Sequence, residues 1–213
     1  MERLLEWSGP VIYAAQAVSA LFGVFMVILL MRKIAQKRFF SHAAAEDFLG
    51  EVRERLQRKD FDAVVEYCDT PAYWSKATPQ LILHALANRD RPLAKLRQLL
   101  AEKFEREVLA ELYYGRSWVA TMEKCAPMLG LLGTVTGMIM AFAKIAGAQQ
   151  TGADPKALSS DISVALYTTM WGLTIAIPLA VLGSMVQVRI SRLTDAVQQH
   201  VSEFLEDFDT ARS

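Results

Sequence analysis

The sequence predicts an all-α membrane protein with three transmembrane helices, the second and third extended into a cytoplasmic helical bundle. Three observations carry this. No charged residue occurs from Pro10 to Met31, from Ala126 to Ala143, or from Ile162 to Val188. Apolar residues between and after these runs recur at spacings of three and four, the period of a helix rather than of a strand. Glycines and threonines also stand at helical spacing inside the later runs, where a bilayer favours them when another helix approaches closely or a polar path crosses the lipid.

The first run is long enough to span. As a helix it covers roughly 33 Å at about 1.5 Å per residue, the thickness of a hydrocarbon core. A cleaved signal peptide would carry its basic residues ahead of a shorter apolar core. Here Arg32, Lys33, Lys37 and Arg38 follow the run, so it reads as a retained helix. Arg116 and Lys124 precede the second run, and Arg189 and Arg192 follow the third, which marks those ends as cytoplasmic. The N-terminus sets Arg3 against Glu2 and Glu6, and the connection between the later runs sets Lys156 against Asp154 and Asp161, so neither competes for retention. The expected layout is a periplasmic N-terminus at 1–9, a first span at 10–31 and a cytoplasmic helical domain at 32–117. A second span at 118–148, a periplasmic loop at 149–161, a third span at 162–188 and a cytoplasmic C-terminal helix at 189–213 complete it.

Within the cytoplasmic domain the pattern predicts helices over Ala43–Lys59 and Phe61–Cys68, and a third over Gln80–Ala87 after Pro79. Asn88, Asp90 and Pro92 form a helix-start cluster. From there Leu93, Leu96, Leu100, Phe104, Val108 and Leu112 make a stripe with no breaker before Gly115, so one helix should run through Trp118 into the second span. Ile190, Leu193, Val197, Val201, Phe204 and Leu205 continue the third span in the same way. Such stripes must be covered, either within the chain, by neighbouring subunits, or by both.

Chemistry-bearing groups are sparse. Twenty-three basic and 23 acidic residues cancel, leaving no basic footprint for nucleic acid. Cys68 and Cys125 have no C-x-x-C spacing and read as small buried thiols. His42, His84 and His200 lack a second ligand at metal spacing and read as solvated or packing histidines. No Gly-rich phosphate loop, nucleophile elbow or H-E-x-x-H motif occurs, so neither an enzyme nor a cofactor is implied. Glu123 and Lys124 read as interface anchors, and Lys144 as a side chain that snorkels to the headgroups.

Gly130, Gly133, Thr134, Gly137 and Ala141 share one face of the second span, and Ala165, Thr169, Gly172, Ala176 and Gly183 one face of the third. On periodicity alone both are packing faces, with each threonine bonded to its own i−4 carbonyl. Faces of this kind are useful only when buried. Together with the cytoplasmic stripes they predict a ring-forming homo-oligomer.

The run APMLGLLGTVTGMIMAF and, after a short DP-containing connection, ISVALYTTMWGLTIAIP resemble the MotA/TolQ/ExbB proton-channel family, in its ExbB and TolQ branch. The likeness covers about Thr121 to Gln187. It implies a homopentamer in the bacterial inner membrane whose second and third helices surround the membrane helices of an ExbD- or TolR-like dimer. Each partner chain would be single-span with an intramembrane Asp, and a TonB- or TolA-like protein would stand beyond it. Proton flow would then drive envelope or outer-membrane work. The resemblance places Thr134 and Thr169 on the pore wall, with Ser163 and Thr168 also on the proton pathway. Gly130, Gly133, Gly137 and Gly172 keep their helix-packing role. One departure stands out: ExbB and TolQ commonly carry a glutamate five residues before the second threonine, where this chain has Val164. A gliding stator or a sodium-driven unit is the rival within the family, and a structural membrane scaffold the rival outside it. None of the three runs contains a carboxylate or histidine, so a titrating group for proton relay must come from another chain.

Overall fold

A computed structural model describes residues 2–147 and 155–212. The described residues form seven α-helices in the order α1 (Glu2–Lys37), α2 (His42–Gln57), α3 (Phe61–Cys68), α4 (Ala77–Ala87), α5 (Leu93–Phe104), α6 (Ala110–Gly147) and α7 (Pro155–Arg212), with no strand among them. Three of the helical stretches are long and apolar enough to cross a membrane. The part of the connecting loop from 149 to 154 lies outside the described residues, whereas 155–161 already belong to α7.

The chain divides into two compact units. The first contains residues 1–28 and 116–185, the second 29–115 and 186–213.

In the first unit α1, α6 and α7 pack along small residues. Gly23 admits Leu179, whose Cδ1 would lie 2.8 Å from an added Cβ. Ile12, Val27, Ala126, Ala141, Ala165 and Leu179 are buried between the helices. Outward-facing positions remain apolar, including Leu21 and Phe25 of α1, Leu131 and Phe142 of α6, and Leu166 and Trp171 of α7. A surface of this kind fits lipid or protein surroundings rather than water.

The second unit is a helical bundle with its own core. Leu30, Phe48, Leu56, Ile82, Leu96, Leu100, Leu112, Ile190, Leu193, Phe204 and Phe208 are fully buried. Most residues of the two apolar stripes are therefore covered inside the chain, while Leu93 and Val201 stay part-exposed. Phe39, Phe48, Tyr67 and Tyr73 add an aromatic cluster, with Phe48 and Tyr73 at 4.7 Å between centroids. Arg53 ties α2 to α7 through Asp207 at 2.8 Å. Gly115 accepts Leu30 of α1 against its bare backbone.

Local chemistry moves helix limits from their expected places and interrupts one long helix. α2 ends two residues early because Lys59 takes a left-handed conformation (φ 57°). The Lys59 amide donates to Leu56 O and the Asp60 amide to Arg55 O, a paired closure that satisfies the last carbonyls. Asp60 then caps α3 by accepting from the Ala63 amide at 3.0 Å. α4 begins at Ala77, ahead of Pro79, because a proline in the first turn forfeits no helical hydrogen bond. The long helix entering the second span is interrupted by one π-helical turn, Glu105–Leu109. Leu96, Leu100, Phe104, Val108 and Leu112 recur every four residues, whereas an α turn closes in about 3.6. One wide turn returns the drifting stripe to the core.

In this unit the Cys68 thiol is buried, His84 and His200 are part-buried, and His42 is exposed. Burial pushes the Cys68 thiol up to about 12. His200 bonds the buried Thr78 through Nδ1 at 3.2 Å, and burial, reinforced by His42 and opposed by Glu203, lowers its pKa below the ordinary 6.5. His84 is lowered in the same sense, first by burial and then by Lys103. A histidine lowered in the folded state binds fewer protons there than in the unfolded chain, so stability rises with pH through the window just below about 6.5 and falls on acidification. His200→Gln is expected to shrink the loss of thermal stability between neutral and mildly acidic buffer in detergent. His84 would maintain the remainder of that loss. An unchanged acid-induced drop would remove His200 from this account.

Candidate functional site at the α6–α7 seam

Along the seam of the first unit, α6 and α7 approach until backbone meets backbone. A Cβ added to Gly130 would lie 2.9 Å from Thr168 O and from Thr169 Cα, and one on Gly172 would lie 2.7 Å from Ala126 O. At Gly137 it would stand 2.5 Å from Ala165 Cβ, and at Gly133 it would collide with the Thr168 side chain. The four predicted packing glycines thus occupy one continuous line of contact. Any larger side chain there would force the helices apart.

This closeness brings four threonine and backbone groups together. Thr134 Oγ1 and Thr169 Oγ1 are directly hydrogen-bonded across the seam. The Thr169 hydroxyl also donates to Gly130 O at 2.9 Å, and Thr134 Oγ1 lies 3.3 Å from both Gly130 O and Ala165 O. Each hydroxyl has one proton to donate and two lone pairs to accept. A consistent arrangement has Thr169 donating to Gly130 O and Thr134 donating to the Thr169 oxygen. Both residues are half-buried, so the pair borders the exterior of this chain rather than being sealed inside it.

The other two polar positions differ. Thr168 is only 2% exposed, and its hydroxyl donates to Ala165 O at 2.7 Å, with Gly130 O at 3.2 Å. It lies inside the seam, one position from Thr169 but about 100° around the helix. Ser163 and Val164 are exposed on α7.

A further polar residue was not singled out by the sequence. Gln16 of α1 is 2% exposed and donates from Nε2 to Thr168 O at 2.8 Å, joining the first helix to the seam. Its Nε2 lies 3.2 Å from where a Cβ on Gly172 would stand, so that glycine also makes room for the amide. The available signal was an amide inside a charge-free apolar run, costly to bury unless hydrogen-bonded.

Near the ends of the seam, two charged residues have partners the sequence did not indicate. Lys144 pairs with Asp161 at 2.6 Å, so it bridges α6 to α7 instead of snorkelling alone. Glu123 faces Arg116 two turns earlier at 3.9 Å, and Gly183 leaves space for that guanidinium at 3.2 Å.

The chain also resembles known proteins. The model of the MotA/TolQ/ExbB proton channel family matches residues 74–199, more than half of the chain. The chain belongs to this family. An ExbB homolog described as a biopolymer transport protein in Methanothermobacter thermautotrophicus is 28% identical over 196 residues, covering 92% of this chain and 66% of that one. The Tol-Pal system protein TolQ of Haemophilus influenzae is 34% identical over 93 residues, 44% of this chain and 38% of its own. The biopolymer transport protein exbB1 of Vibrio cholerae is 40% identical over 81 residues, 38% of this chain and 34% of its own. The match thus spans two thirds or less of each relative. Family membership and the three apolar helical stretches make this a multi-pass membrane protein of the MotA/TolQ/ExbB family.

Proposed function

We propose that this chain is an ExbB/TolQ-type subunit of a proton-motive-force-driven motor in the bacterial inner membrane, with a periplasmic N-terminus and a cytoplasmic C-terminus. A ring of five copies would surround a dimer of ExbD- or TolR-like single-span chains. The observation that carries the reading is the half-buried Thr134–Thr169 hydroxyl pair, held on a glycine-lined seam within membrane-length helices. Such a pair can hydrogen-bond a passing carboxylate or order water, but it does not titrate near neutral pH. It serves as the wall of a path whose proton carrier belongs to the partner.

In this reading Thr134 and Thr169 line the pore, and Ser163 extends that wall toward the outer end of α7. Thr168, with its hydroxyl satisfied inside the seam, holds the two helices together. Gln16 braces the same seam from α1. Val164 leaves the wall without the carboxylate common in ExbB and TolQ, which places the whole titrating role on the partner.

Two measurements test assembly. Native mass spectrometry of the detergent-solubilised chain is expected to show a closed oligomer, with five copies predominating. A stable monomer would count decisively against the ring. Purification of the tagged chain from its own membranes should bring with it a single-span protein bearing an Asp within its apolar helix. Recovery of the ring without any such chain would favour a structural scaffold.

A further inference from the structure

A basic cleft of about 180 Å³ opens in the second unit between the end of α1 and α7, lined by Ile34, Ala35, Arg38, Phe39, Phe40 and Arg189. Its floor is apolar, with Ile34 and Phe39 buried. Its rim carries two exposed arginines, neither paired with a carboxylate among the described residues. Lys33, on the same helix, is by contrast held by Glu111. The Arg38 backbone carbonyl accepts from Lys76 Nζ at 2.6 Å, which fixes this end of α1 while leaving its guanidinium available. Beside them Phe40 is 98% exposed, an unfavourable position for an aromatic ring in water.

The sequence positions this cleft near a lipid surface. Arg189 is the first charged residue after the apolar run ending at Val188, and Arg38 follows within two helical turns of the run ending at Met31. Planar guanidiniums match phosphate oxygens in paired hydrogen bonds, and an exposed aromatic ring is favoured at the headgroup boundary.

We infer that Arg38 and Arg189 bind the phosphate of an anionic phospholipid of the adjoining leaflet, with its glycerol backbone over Ile34 and Phe39 and the Phe40 ring in the headgroup layer. A free phosphate would gain the guanidiniums alone, leaving Phe40 in water, so the lipid is the occupant. This inference rests on the membrane reading and not on channel activity. Its test needs neither partner nor proton flow.

The full-length chain would be reconstituted in nanodiscs of mixed phosphatidylglycerol and phosphatidylcholine, released and weighed by native mass spectrometry. Retention of phosphatidylglycerol over phosphatidylcholine is expected. At roughly fivefold per basic residue near a membrane surface, the double variant Arg38→Gln/Arg189→Gln should retain it about thirtyfold more weakly. Arg32→Gln, exposed near the same surface but outside the cleft, should lose no more than the roughly fivefold of one surface charge, and millimolar inorganic phosphate should not displace the lipid. Circular dichroism would check that the variants remain folded, as expected for exposed arginines. Equal retention of both lipids, an undiminished double variant, or an equal loss with Arg32→Gln would overturn the site. So would displacement by phosphate. Disulfide linkage of a Phe40→Cys variant to a second copy in native membranes would show that protein covers the cleft, and would overturn it as well.

Discussion

Replacing Thr134 or Thr169 with valine is expected to reduce proton-driven envelope work at least about tenfold while leaving the chain folded and assembled. Valine preserves the branched shape and removes only the hydroxyl. Each side chain is half-buried, so the lost hydrogen bonds should cost on the order of 1 kcal/mol, too little to unfold a seam held by close glycine contacts. Either single change breaks the direct bond between the two hydroxyls, so the two variants should have similar phenotypes and the double variant should add little. Thr168→Val provides the contrast. Its hydroxyl is fully inside the seam and bonded to Ala165 O, so its loss should appear chiefly as lower thermal stability, with work per folded ring largely kept. Activity in cells lacking the native copy, normalised to assembled ring, checks all three. Full work from Thr134→Val or Thr169→Val would return that threonine to simple helix packing.

The membrane-length helices and the glycine seam were legible in the sequence for a physical reason. Lipid offers no partner for backbone or charge, so spans must be long, uninterrupted and apolar, and small residues at a fixed period stand out against them. Phe61–Cys68 was read with its limits intact because it is a short, strongly patterned helix. What escaped was set by three-dimensional context. The Lys59 left-handed closure follows from backbone hydrogen bonds that no side-chain type announces. The π turn at Glu105–Leu109 depends on a stripe that repeats every four residues having to face one core. Among the site residues, Thr168 and Thr169 are neighbours of identical type, and only the helix phase separates a buried hydroxyl from a half-buried one. Gln16 carries no charge, so charge patterning passed over an amide that bonds α1 to the seam. Lys144 illustrates the reverse: its snorkelling role was inferred from its own helix, while its partner Asp161 lies on another.

Proton flux through the assembled ring is expected to depend on a carboxylate that this chain does not contain. No Asp, Glu or His occurs within the three charge-free runs, and the hydroxyls at the seam cannot carry a proton as a stable charged intermediate. A unit charge moving across the membrane is worth roughly 2.3 kcal/mol per 100 mV, enough to drive motion only where protonation is coupled to the position of a protein group. An Asp on a partner helix meets that requirement. Beside the Thr134–Thr169 pair, removal from water would raise its pKa and favour the neutral form, while contact with water at either end would restore the carboxylate. The two states differ in charge and therefore in their preferred place against the wall, which lets proton entry and exit bias the partner's movement. Liposomes loaded with a pH-sensitive dye separate the contributions. The chain alone should leak protons only at the background of empty vesicles, the complex should conduct well above it, and the partner's Asp→Asn change should return flux to background. Equal flux from the chain alone and from the complex, or an undiminished complex after that change, would place the proton carrier in this chain and refute the division of labour.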